Sequence, residues 1–316
     1  MKVFSKQQIT ARLDVERAVQ CLEEGFIAFS QGKVQVPPVQ AFAFPQANGD
    51  CCIKSAHVEG SDTFTVKLST GFYDNPSRGL PSNDGLMLVA SASTGQPLAL
   101  LQDEGWLTCI RTALAGRIAT RLLAPANVKA IGILGTGTQA RMQLEQLGAV
   151  TPCRTVVVWG RGDAELAAYK TFANDLGYEV RVTRNAAEVA HAANLIVCAT
   201  PSREPLLQSE WVQPGTHITA VGADAPGKQE LDPALVARAD RIIVDSLYQC
   251  SQYGEVSHAL KAGLIVEQQL TELGALLEGR ATGREHDAQI TLADLTGVAV
   301  LDAQISSCVL ESLTAG

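Results

Sequence analysis

From about residue 125 onward, short segments that are apolar throughout alternate with stretches that have a helical pattern. This alternation limits the fold more than any other feature, because strands that are apolar on both faces occur in parallel sheets covered by helices on each side. It predicts a doubly wound parallel α/β domain of the Rossmann type. The predicted strands are KAIGIL, TVVVW, YEVRVT, NLIVCAT, THITAVGA and DRIIVDS.

The stretch IGILGTGTQA, residues 131–140, joins the first of these strands to a helix. Gly135 allows a tight turn, Gly137 lets the backbone approach a pyrophosphate, and Ala140 is small enough for the helix to pack on the strand. A glycine pair after a strand is often only a tight turn, but a strand and a helix flank this one, which favours a dinucleotide. The residues expected at the cofactor are Gly135, Thr136, Gly137, Thr138 and Gln139.

The end of the second strand distinguishes the two nicotinamide cofactors. An Asp or Glu there holds the ribose 2′-hydroxyl of NAD, whereas an Arg pairs with the 2′-phosphate of NADP. The sequence at this point is Val158-Trp159-Gly160-Arg161, which has no carboxylate. Arg161 therefore favours NADP(H), because a guanidinium binds phosphate well. A solvated arginine is the alternative interpretation, and use of NAD(H) stays open.

The composition of the chain excludes several kinds of partner. Its 316 residues, of which 46% are hydrophobic and 18% charged, suffice for two domains. The net charge of −8 and the lack of a Lys or Arg run argue against nucleic acid. Short apolar runs and an N-terminal stretch unlike a secretory signal predict a soluble, cytoplasmic protein without a membrane span. Eight cysteines without a CxxC pair predict reduced thiols and no metal site.

The first part of the chain is organised differently. Residues 9–29 have the pattern of an amphipathic helix, and the segments AFAF, CCIKSAHV, TFTVKLST and GLMLVASA alternate as antiparallel strands do. Residues 105–124 are predicted to form a helix that leads into the Rossmann domain. Residues 300–313 are predicted to form a helix that returns to the first domain. The sequence thus predicts an α+β domain before the Rossmann domain.

Two basic side chains of this first part are candidates for binding a substrate. In TFTVKLST, Lys67 alternates with Phe64, Val66 and Leu68, so it points away from the apolar face of the strand. A single lysine on a strand is usually exposed. Arg111, near the start of the helix that enters the second domain, either binds a substrate carboxylate bidentately or lies on the helix surface.

Several motifs resemble those of the ornithine cyclodeaminase and mu-crystallin family, and the resemblance covers nearly the whole chain. The motifs are LTCIRTALAG, the GTGTQA loop, VGADAPGKQELD, YGEVSHALKAG and DLTGVAVLDA. The resemblance implies NAD(P)-dependent chemistry on amino acids or their cyclic imines. It also implies a substrate-binding and dimerisation domain at residues 1–112 with 300–316, a Rossmann domain at residues 113–299, and a homodimer formed through the first domain.

The same resemblance assigns roles to single residues. Lys67 and Arg111 match the two cations that hold the substrate carboxylate. Asp224 matches the aspartate that acts as acid or base beside the reacting nitrogen and carbon. Lys54 lies at a substrate-binding position, and Met87 matches a wall of the pocket. The residues expected to face the cofactor are Thr200, Pro201, Val221, Thr296 and Gly297.

Two departures from the family pattern bear on the substrate. Where cyclodeaminases have an arginine after a proline, this chain has Val39. Where they have a glutamate that handles the amino group of ornithine, it has Lys54, which repels an ammonium group. Both departures disfavour ornithine. Residues 53–89 are most similar to the branch of the family that reduces Δ1-pyrroline-2-carboxylate and Δ1-piperideine-2-carboxylate.

The resemblance therefore predicts NAD(P)H-dependent reduction of a small cyclic imino acid to L-proline or L-pipecolate. One alternative is cyclodeamination of ornithine or lysine. Another is reduction of a different small imine such as iminosuccinate, whose second carboxylate Lys54 could bind. A third is non-catalytic binding, as in mu-crystallin of the lens. The presence of Lys67, Arg111 and Asp224 argues against this last alternative.

Overall fold

The computed structural model describes residues 1–314, without the side chain of Pro76. The chain divides into two compact units, Met1–Arg111 with Val298–Gly316, and Thr112–Gly297. The expected first domain, residues 1–112 with 300–316, includes residues 315 and 316, which lie outside the described residues. The functions assigned to the two domains stay predictions.

The first unit begins with β1 (Lys2–Ser5), α1 (Lys6–Arg12), α2 (Val15–Ser30), β2 (Val34–Gln35), β3 (Gln40–Phe44), β4 (Gly49–Val58), β5 (Thr63–Phe72), β6 (Asn83–Ser91), β7 (Pro97–Gln102) and the start of α3 (Trp106–Leu123). The second unit continues with β8 (Ile131–Leu134), α4 (Thr138–Leu147), β9 (Thr155–Trp159), α5 (Asp163–Asp175), β10 (Glu179–Thr183), α6 (Ala186–Ala192), β11 (Leu195–Cys198), β12 (Arg203–Leu207), β13 (His217–Ala220), β14 (Gln229–Leu231), α7 (Pro233–Arg238), β15 (Arg241–Val244), α8 (Leu247–Tyr253), α9 (Glu255–Lys261), β16 (Leu270–Glu272), α10 (Leu273–Leu277) and β17 (Thr291–Asp294). The last helix, α11 (Ala299–Thr314), belongs to the first unit.

The first unit is built on a mostly antiparallel sheet, as the alternating segments predicted. The strand order is β1-β7-β6-β5-β4-β2, and β3 pairs with β4. The edge strand β1 is the exception, since it pairs with β7 in the parallel direction. Helix α11 packs against α2 and on β4, β5 and β6, so the final helix covers the centre of this sheet.

The N-terminal helix differs from the prediction. The sequence predicted one helix over residues 9–29, whereas the structure has α1 and α2, separated at Leu13 and Asp14. The Asp14 carboxylate accepts the amide N–H groups of Glu16 at 3.0 Å and Arg17 at 3.1 Å. Asp14 is thus the N-cap of α2, and this cap starts a new helix where the apolar period alone indicated a continuous one.

The second unit contains a parallel sheet with the order β10-β9-β8-β11-β13-β17-β15-β16. Each pair of neighbours in it runs parallel. The first strand, β8, lies between β9 and β11, and the chain reverses its direction of progress there, as in Rossmann folds. The Rossmann-type prediction is confirmed. The prediction omitted β12, β14, β16 and β17, and β12 and β14 form a separate two-stranded sheet.

Helices and apolar side chains cover both faces of this parallel sheet. Along β11, Leu195 and Val197 join the core on one face, and Ile196 and Cys198 join the core on the other. Full burial of one large aliphatic side chain contributes about 1.5–3 kcal/mol, which explains why these strands are apolar at successive positions.

The described part of the chain, residues 1–314, has no helix that is both long and apolar enough to cross a bilayer. Within the same residues, no three His, Cys, Asp or Glu side chains are grouped so that they could hold a metal ion. All eight cysteines are free thiols.

Candidate functional site

The register of the first sheet places Lys54, Lys67, Met87 and Leu101 side by side on β4, β5, β6 and β7. Residues directly opposite one another in antiparallel strands share a face of the sheet. Helix α11 covers this face, and Lys67 is only 2% exposed and Lys54 only 9%. The general expectation that a single lysine on a strand is exposed is therefore wrong for Lys67.

Asp302, on α11, forms ion pairs with both cations that the resemblance assigns to the substrate. Its Oδ2 lies 2.7 Å from Nζ of Lys67, and its Oδ1 lies 2.9 Å from Nε of Arg111. Arg111 is 5% exposed, and Asp302 is buried as well. The final helix thus supplies an anion that holds both cations in place.

Lys54, Lys67, Arg111 and Asp302 form a group that we call the cation cluster. Burial lowers the pKa of Lys67 to about 8; the charge of Asp302 opposes this shift, and the charges of Arg111 and Lys54 add to it. Burial also disfavours the ionised form of Asp302, but the charges of Lys67 and Arg111 outweigh it and hold the pKa of Asp302 below its usual value. The cluster has more positive than negative charge, which suits an anionic ligand.

Asp103 is a further buried acid next to this cluster. Its Oδ2 accepts the amide N–H of Leu107 at 2.7 Å, at the start of α3. Burial raises the pKa of Asp103 to about 6, although the Leu107 hydrogen bond and the charge of Lys67 oppose the shift. In the sequence, an acid just before a helix indicates only a capping residue. The proximity of Asp103 to Lys67 becomes visible only in the fold.

Met87, the expected pocket wall, is fully buried beside Lys67. Its Sδ accepts a hydrogen bond from the Ser306 hydroxyl at 3.0 Å.

Val39 stands where cyclodeaminases have an arginine. It is 38% exposed and lies just before β3. The cations of the cluster lie on β4, β5 and α3, and this position before β3 has an apolar side chain.

The glycine loop lies between β8 and α4. Gly135 has a φ of +114°, and a Cβ there would lie 2.7 Å from the carbonyl oxygen of Ala199. Glycine is therefore required at this position. Gly137 is the N-cap of α4, a helix that no side chain caps within the described residues, and the space where its Cβ would lie is open. Uncapped amide groups at the N-terminus of a helix bind anions, so these residues fit the pyrophosphate of a dinucleotide.

The structure also brings Arg161 close to this loop. Arg161 is exposed and follows β9, the strand that pairs with β8. The preceding Gly160 packs so closely on Thr136 that a Cβ would lie 2.8 Å from Cγ2 of Thr136. Arg161 is thus adjacent to the predicted pyrophosphate loop, while Thr138 and Gly137 are exposed and Gln139 is half-buried.

A buried glutamate connects two more segments that are expected at the cofactor. Glu230 accepts the amide N–H of Thr200 at 2.7 Å and that of Gly222 at 2.9 Å. Thr200 precedes the exposed Pro201 after β11, and Gly222 follows the buried Val221 after β13. Burial raises the pKa of Glu230 to about 8, and its hydrogen bonds oppose that shift.

A second buried acid, Asp245, holds the segment of Thr296 and Gly297. Its Oδ1 accepts the Thr296 hydroxyl at 2.9 Å, and its Oδ2 accepts the Gly297 amide N–H at 2.6 Å. Gln249 donates to Oγ1 of Thr296 at 2.9 Å. Gln249 also donates to the carbonyl oxygen of Gly297 at 3.3 Å. Asp245 and Gln249 therefore fix the position of both residues.

Asp224, the candidate acid or base, lies in the loop after β13. Its side chain is 53% exposed, and its Oδ1 lies 2.5 Å from Nζ of Lys228. His258 in turn lies with Nε2 2.9 Å from the carbonyl oxygen of Lys228. The Asp224 carboxylate is thus accessible and has a cation as its neighbour.

The candidate residues form two groups, one in each unit. The first unit brings together Lys54, Lys67, Met87 and Arg111, and the second places the cofactor candidates after the carboxyl ends of parallel strands, where α/β folds bind ligands. The sequence motifs do not identify the acids that hold these groups, although a single acid inside an apolar stretch, as in GVAVLDAQI, is a signal for a buried charge. These acids are Asp103, Glu230, Asp245 and Asp302.

Comparison with known proteins shows similarity over the whole chain. The ornithine cyclodeaminase/mu-crystallin family matches residues 1–316. An alanine dehydrogenase of Archaeoglobus fulgidus is 35% identical over 311 residues, which cover 98% of this chain and 94% of that protein.

Three solved structures have the same fold along their whole length. The Δ1-pyrroline-2-carboxylate reductase of Thermococcus litoralis, in complex with NADH and L-proline, has a TM-score of 0.92 at 28% identity and covers 99% of this chain and 97% of its own. An archaeal alanine dehydrogenase dimer with bound NAD has a TM-score of 0.91 at 33% identity and covers 100% of this chain and 96% of its own. The iminosuccinate reductase of Paracoccus denitrificans, in complex with NAD⁺, has a TM-score of 0.90 at 32% identity and covers 100% of this chain and 97% of its own. The chain therefore belongs to the ornithine cyclodeaminase/mu-crystallin family.

Proposed function

We propose that this protein uses NAD(P)H to reduce the C=N bond of a small cyclic imino acid, Δ1-pyrroline-2-carboxylate or Δ1-piperideine-2-carboxylate. The product is L-proline or L-pipecolate. The observation that carries the proposal is the cation cluster, a buried and positively charged site that suits the carboxylate of such a substrate. The similar reductase that binds NADH and L-proline supports the same reaction.

In this proposal Lys67 and Arg111 bind the substrate carboxylate. Both are buried, so their attraction for an anion is weakened less by water than at an exposed site. Asp302 fixes their positions before the substrate arrives, and a preorganised site loses less entropy on binding. Met87, next to Lys67, offers an apolar surface to the ring.

The cofactor, when bound, supplies the hydride that C2 of the imine accepts. The glycine loop from Gly135 to Gln139 holds its pyrophosphate at the N-terminus of α4. Asp224 favours the protonated imine, because a carboxylate stabilises an iminium cation, which is the better hydride acceptor. Lys228, the present partner of Asp224, is replaced by the iminium in this step.

We propose NADPH as the favoured cofactor because Arg161 stands next to the glycine loop and the strand-end sequence Val158-Trp159-Gly160-Arg161 contains no carboxylate. The decisive assay follows oxidation of NADPH and of NADH by the purified protein with each of the two cyclic imines. Oxidation with either imine supports the reductase, and a higher kcat/KM with NADPH supports the role of Arg161. If neither imine is reduced, the proposed function is wrong, and release of ammonia from ornithine would identify a cyclodeaminase instead.

A second candidate function is reduction of an imine with two carboxylates, such as iminosuccinate. The observation that favours it is Lys54, which is buried opposite Lys67 and adds a third cation to the cluster. An iminosuccinate reductase is also among the similar structures. The two candidates are separated by kcat/KM for iminosuccinate and for Δ1-pyrroline-2-carboxylate. Lys54→Met should affect only the dicarboxylic substrate if Lys54 binds the second carboxylate.

Substrate binding is expected to weaken as the pH rises through about 8. The pKa of Lys67 is about 8, so Lys67 is a cation below this pH and neutral above it. Loss of the charge removes the attraction for the carboxylate, and kcat/KM should fall about tenfold per pH unit above this value. The measurement is kcat/KM for the imine between pH 6 and 10, together with the Kd of the expected product.

Lys67→Arg is the control for this pH profile. A guanidinium stays protonated in this range, so the variant should lose the decline near pH 8. A decline that is identical in the wild type and in Lys67→Arg would show that another group, or the imine itself, is the cause.

We also propose that the protein is a homodimer formed through the first unit. On the face of the sheet opposite the cation cluster, apolar side chains are half-exposed where a monomer would be expected to bury them. A second copy of the chain would cover them, and the archaeal alanine dehydrogenase is a dimer. We call these residues the apolar sheet face: Ile53, Val66, Leu68, Leu86, Leu88 and Leu100.

Light scattering after size-exclusion chromatography should give twice the 33.5 kDa mass of one chain. Leu88→Lys places a charge on the apolar sheet face and should shift the protein to the monomer, because an unpaired charge is costly in an interface. Leu176→Lys, at an exposed leucine of the second unit, is the matched control and should leave the mass unchanged. A monomeric wild-type protein would contradict the proposal.

A further inference from the structure

Glu230 is a buried acid to which the proposed reaction gives no role, and it accepts hydrogen bonds from two different strand ends. Its Oε1 accepts the amide N–H of Thr200, which follows β11, and its Oε2 accepts the amide N–H of Gly222, which follows β13. Thr200 also borders the glycine loop, since a Cβ on Gly135 would lie 3.2 Å from Cγ2 of Thr200. Asp224 is two residues beyond Gly222. Glu230 therefore connects the segment beside the glycine loop to the segment that carries Asp224.

The packing around Gly222 leaves no room for adjustment. A Cβ at this position would lie 2.2 Å from the carbonyl oxygen of Thr200 and 2.3 Å from Oε2 of Glu230. The two backbone segments and the carboxylate are thus in direct contact, with no space for a side chain at Gly222. A displacement of Glu230 would move both segments.

Glu255 holds the strand that carries Glu230. It is buried like Glu230, and it accepts two amide N–H groups, those of Glu230 at 2.7 Å and Leu231 at 2.9 Å. These two amides belong to β14, whereas the amides bound by Glu230 belong to the strand ends. The same kind of interaction, a carboxylate that accepts two backbone N–H groups, therefore serves two different parts of the unit.

We propose that Glu230 is a positioning residue for the reaction: by holding the amide groups of Thr200 and Gly222, it fixes the strand ends that face the cofactor and carry Asp224. This inference rests on the proposed function for the roles of the cofactor and of Asp224. The geometry makes the effect specific, because each carboxylate oxygen holds a different strand end. A displacement of a reacting group by about 1 Å can lower the rate about 100-fold.

The test is Glu230→Gln. A side-chain amide has one acceptor oxygen, so its NH₂ group faces one of the two backbone N–H groups and cannot accept from it. Hydrogen exchange at the Thr200 and Gly222 amides should become faster, and the Kd of NADH, measured by fluorescence, should rise about tenfold. With the imine, kcat should fall about 100-fold, while KM stays close to that of the wild type because Lys67 and Arg111 hold the carboxylate.

Two variants separate positioning from a general loss of stability. Thr291→Val removes a different buried hydrogen bond of the same unit, from the Thr291 hydroxyl to the carbonyl oxygen of Leu123 at 2.9 Å, at the start of β17. It should lower the melting temperature while changing kcat and the Kd of NADH by less than about threefold. Glu230→Asp keeps a carboxyl group with two acceptor oxygens and should recover part of kcat, and it serves as the test protein if Glu230→Gln does not fold.

The inference is overturned if Glu230→Gln leaves amide exchange, the Kd of NADH and kcat unchanged. It is also overturned if Thr291→Val causes an equal loss of kcat at an equal melting temperature. If the wild type reduces neither imine, the proposed function fails, but amide exchange and NADH binding still decide whether Glu230 positions the two strand ends.

Discussion

Lys67→Ala is expected to lower kcat/KM for the cyclic imino acid by at least about 100-fold and to leave the Kd of NAD(P)H unchanged. Lys67 is a buried cation, and removal of one partner from a buried, hydrogen-bonded charge pair costs about 2–5 kcal/mol. The cofactor candidates lie in the other unit, where Glu230 and Asp245 hold their segments by hydrogen bonds. Steady-state kinetics and a fluorescence titration with NAD(P)H measure the two effects.

Lys6→Ala is the matched control for this prediction. Lys6 is in the same unit and forms an ion pair with Glu104 at 3.0 Å, but both side chains are largely exposed. Exposed pairs contribute at most about 1 kcal/mol, and Lys6→Ala should keep kcat/KM within about twofold of the wild type. Wild-type turnover in Lys67→Ala would remove the basis of the proposed function.

Asp302→Asn is expected to reduce the free energy of unfolding of the first unit by about 3–5 kcal/mol. The carboxylate of Asp302 is within 2.9 Å of both Lys67 and Arg111, and all three side chains are buried. The asparagine has no charge, so two buried cations would lose their counter-ion and repel each other. Urea denaturation, followed by circular dichroism, measures the change.

Two further variants test whether loss of the Asp302 charge is the cause of the lower free energy of unfolding. Glu104→Gln breaks the exposed pair with Lys6 and should cost less than about 1 kcal/mol. Lys67→Met combined with Asp302→Asn removes one of the uncompensated cations and should recover part of the stability. If Asp302→Asn is no more destabilising than Glu104→Gln, the ion pairs of Asp302 do not stabilise the unit.

The parallel sheet could be predicted from the sequence because its strands are buried on both faces. Successive residues of β11 enter opposite cores, so the segment is apolar throughout, and this pattern is rare outside covered parallel sheets. The break between α1 and α2 could not be predicted in the same way. The apolar period continues across Leu13 and Asp14, and the cap formed by Asp14 is what ends one helix and starts the next.

The candidate site was predictable where a short motif contains the chemistry. The requirement for glycine at Gly135 follows from the turn between β8 and α4, which are neighbours in sequence. The ion pair of Arg111 with Asp302 joins residues that are 191 positions apart, and only the folded sheet and α11 bring them together. Lys67 was assigned through the family resemblance, since strand statistics alone would have placed it in solvent.

Strand β5 presents two unrelated surfaces on alternate residues. Thr65 and Lys67 point to the covered side, and Phe64, Val66 and Leu68 point to the other. Insertion or deletion of a single residue before Lys67 would exchange the two surfaces, since a shift by one position turns every side chain over. The length of β5 is therefore fixed both by the burial of Lys67 and by the apolar residues on the opposite face. Insertions and deletions should be tolerated only in the turns at either end of the strand.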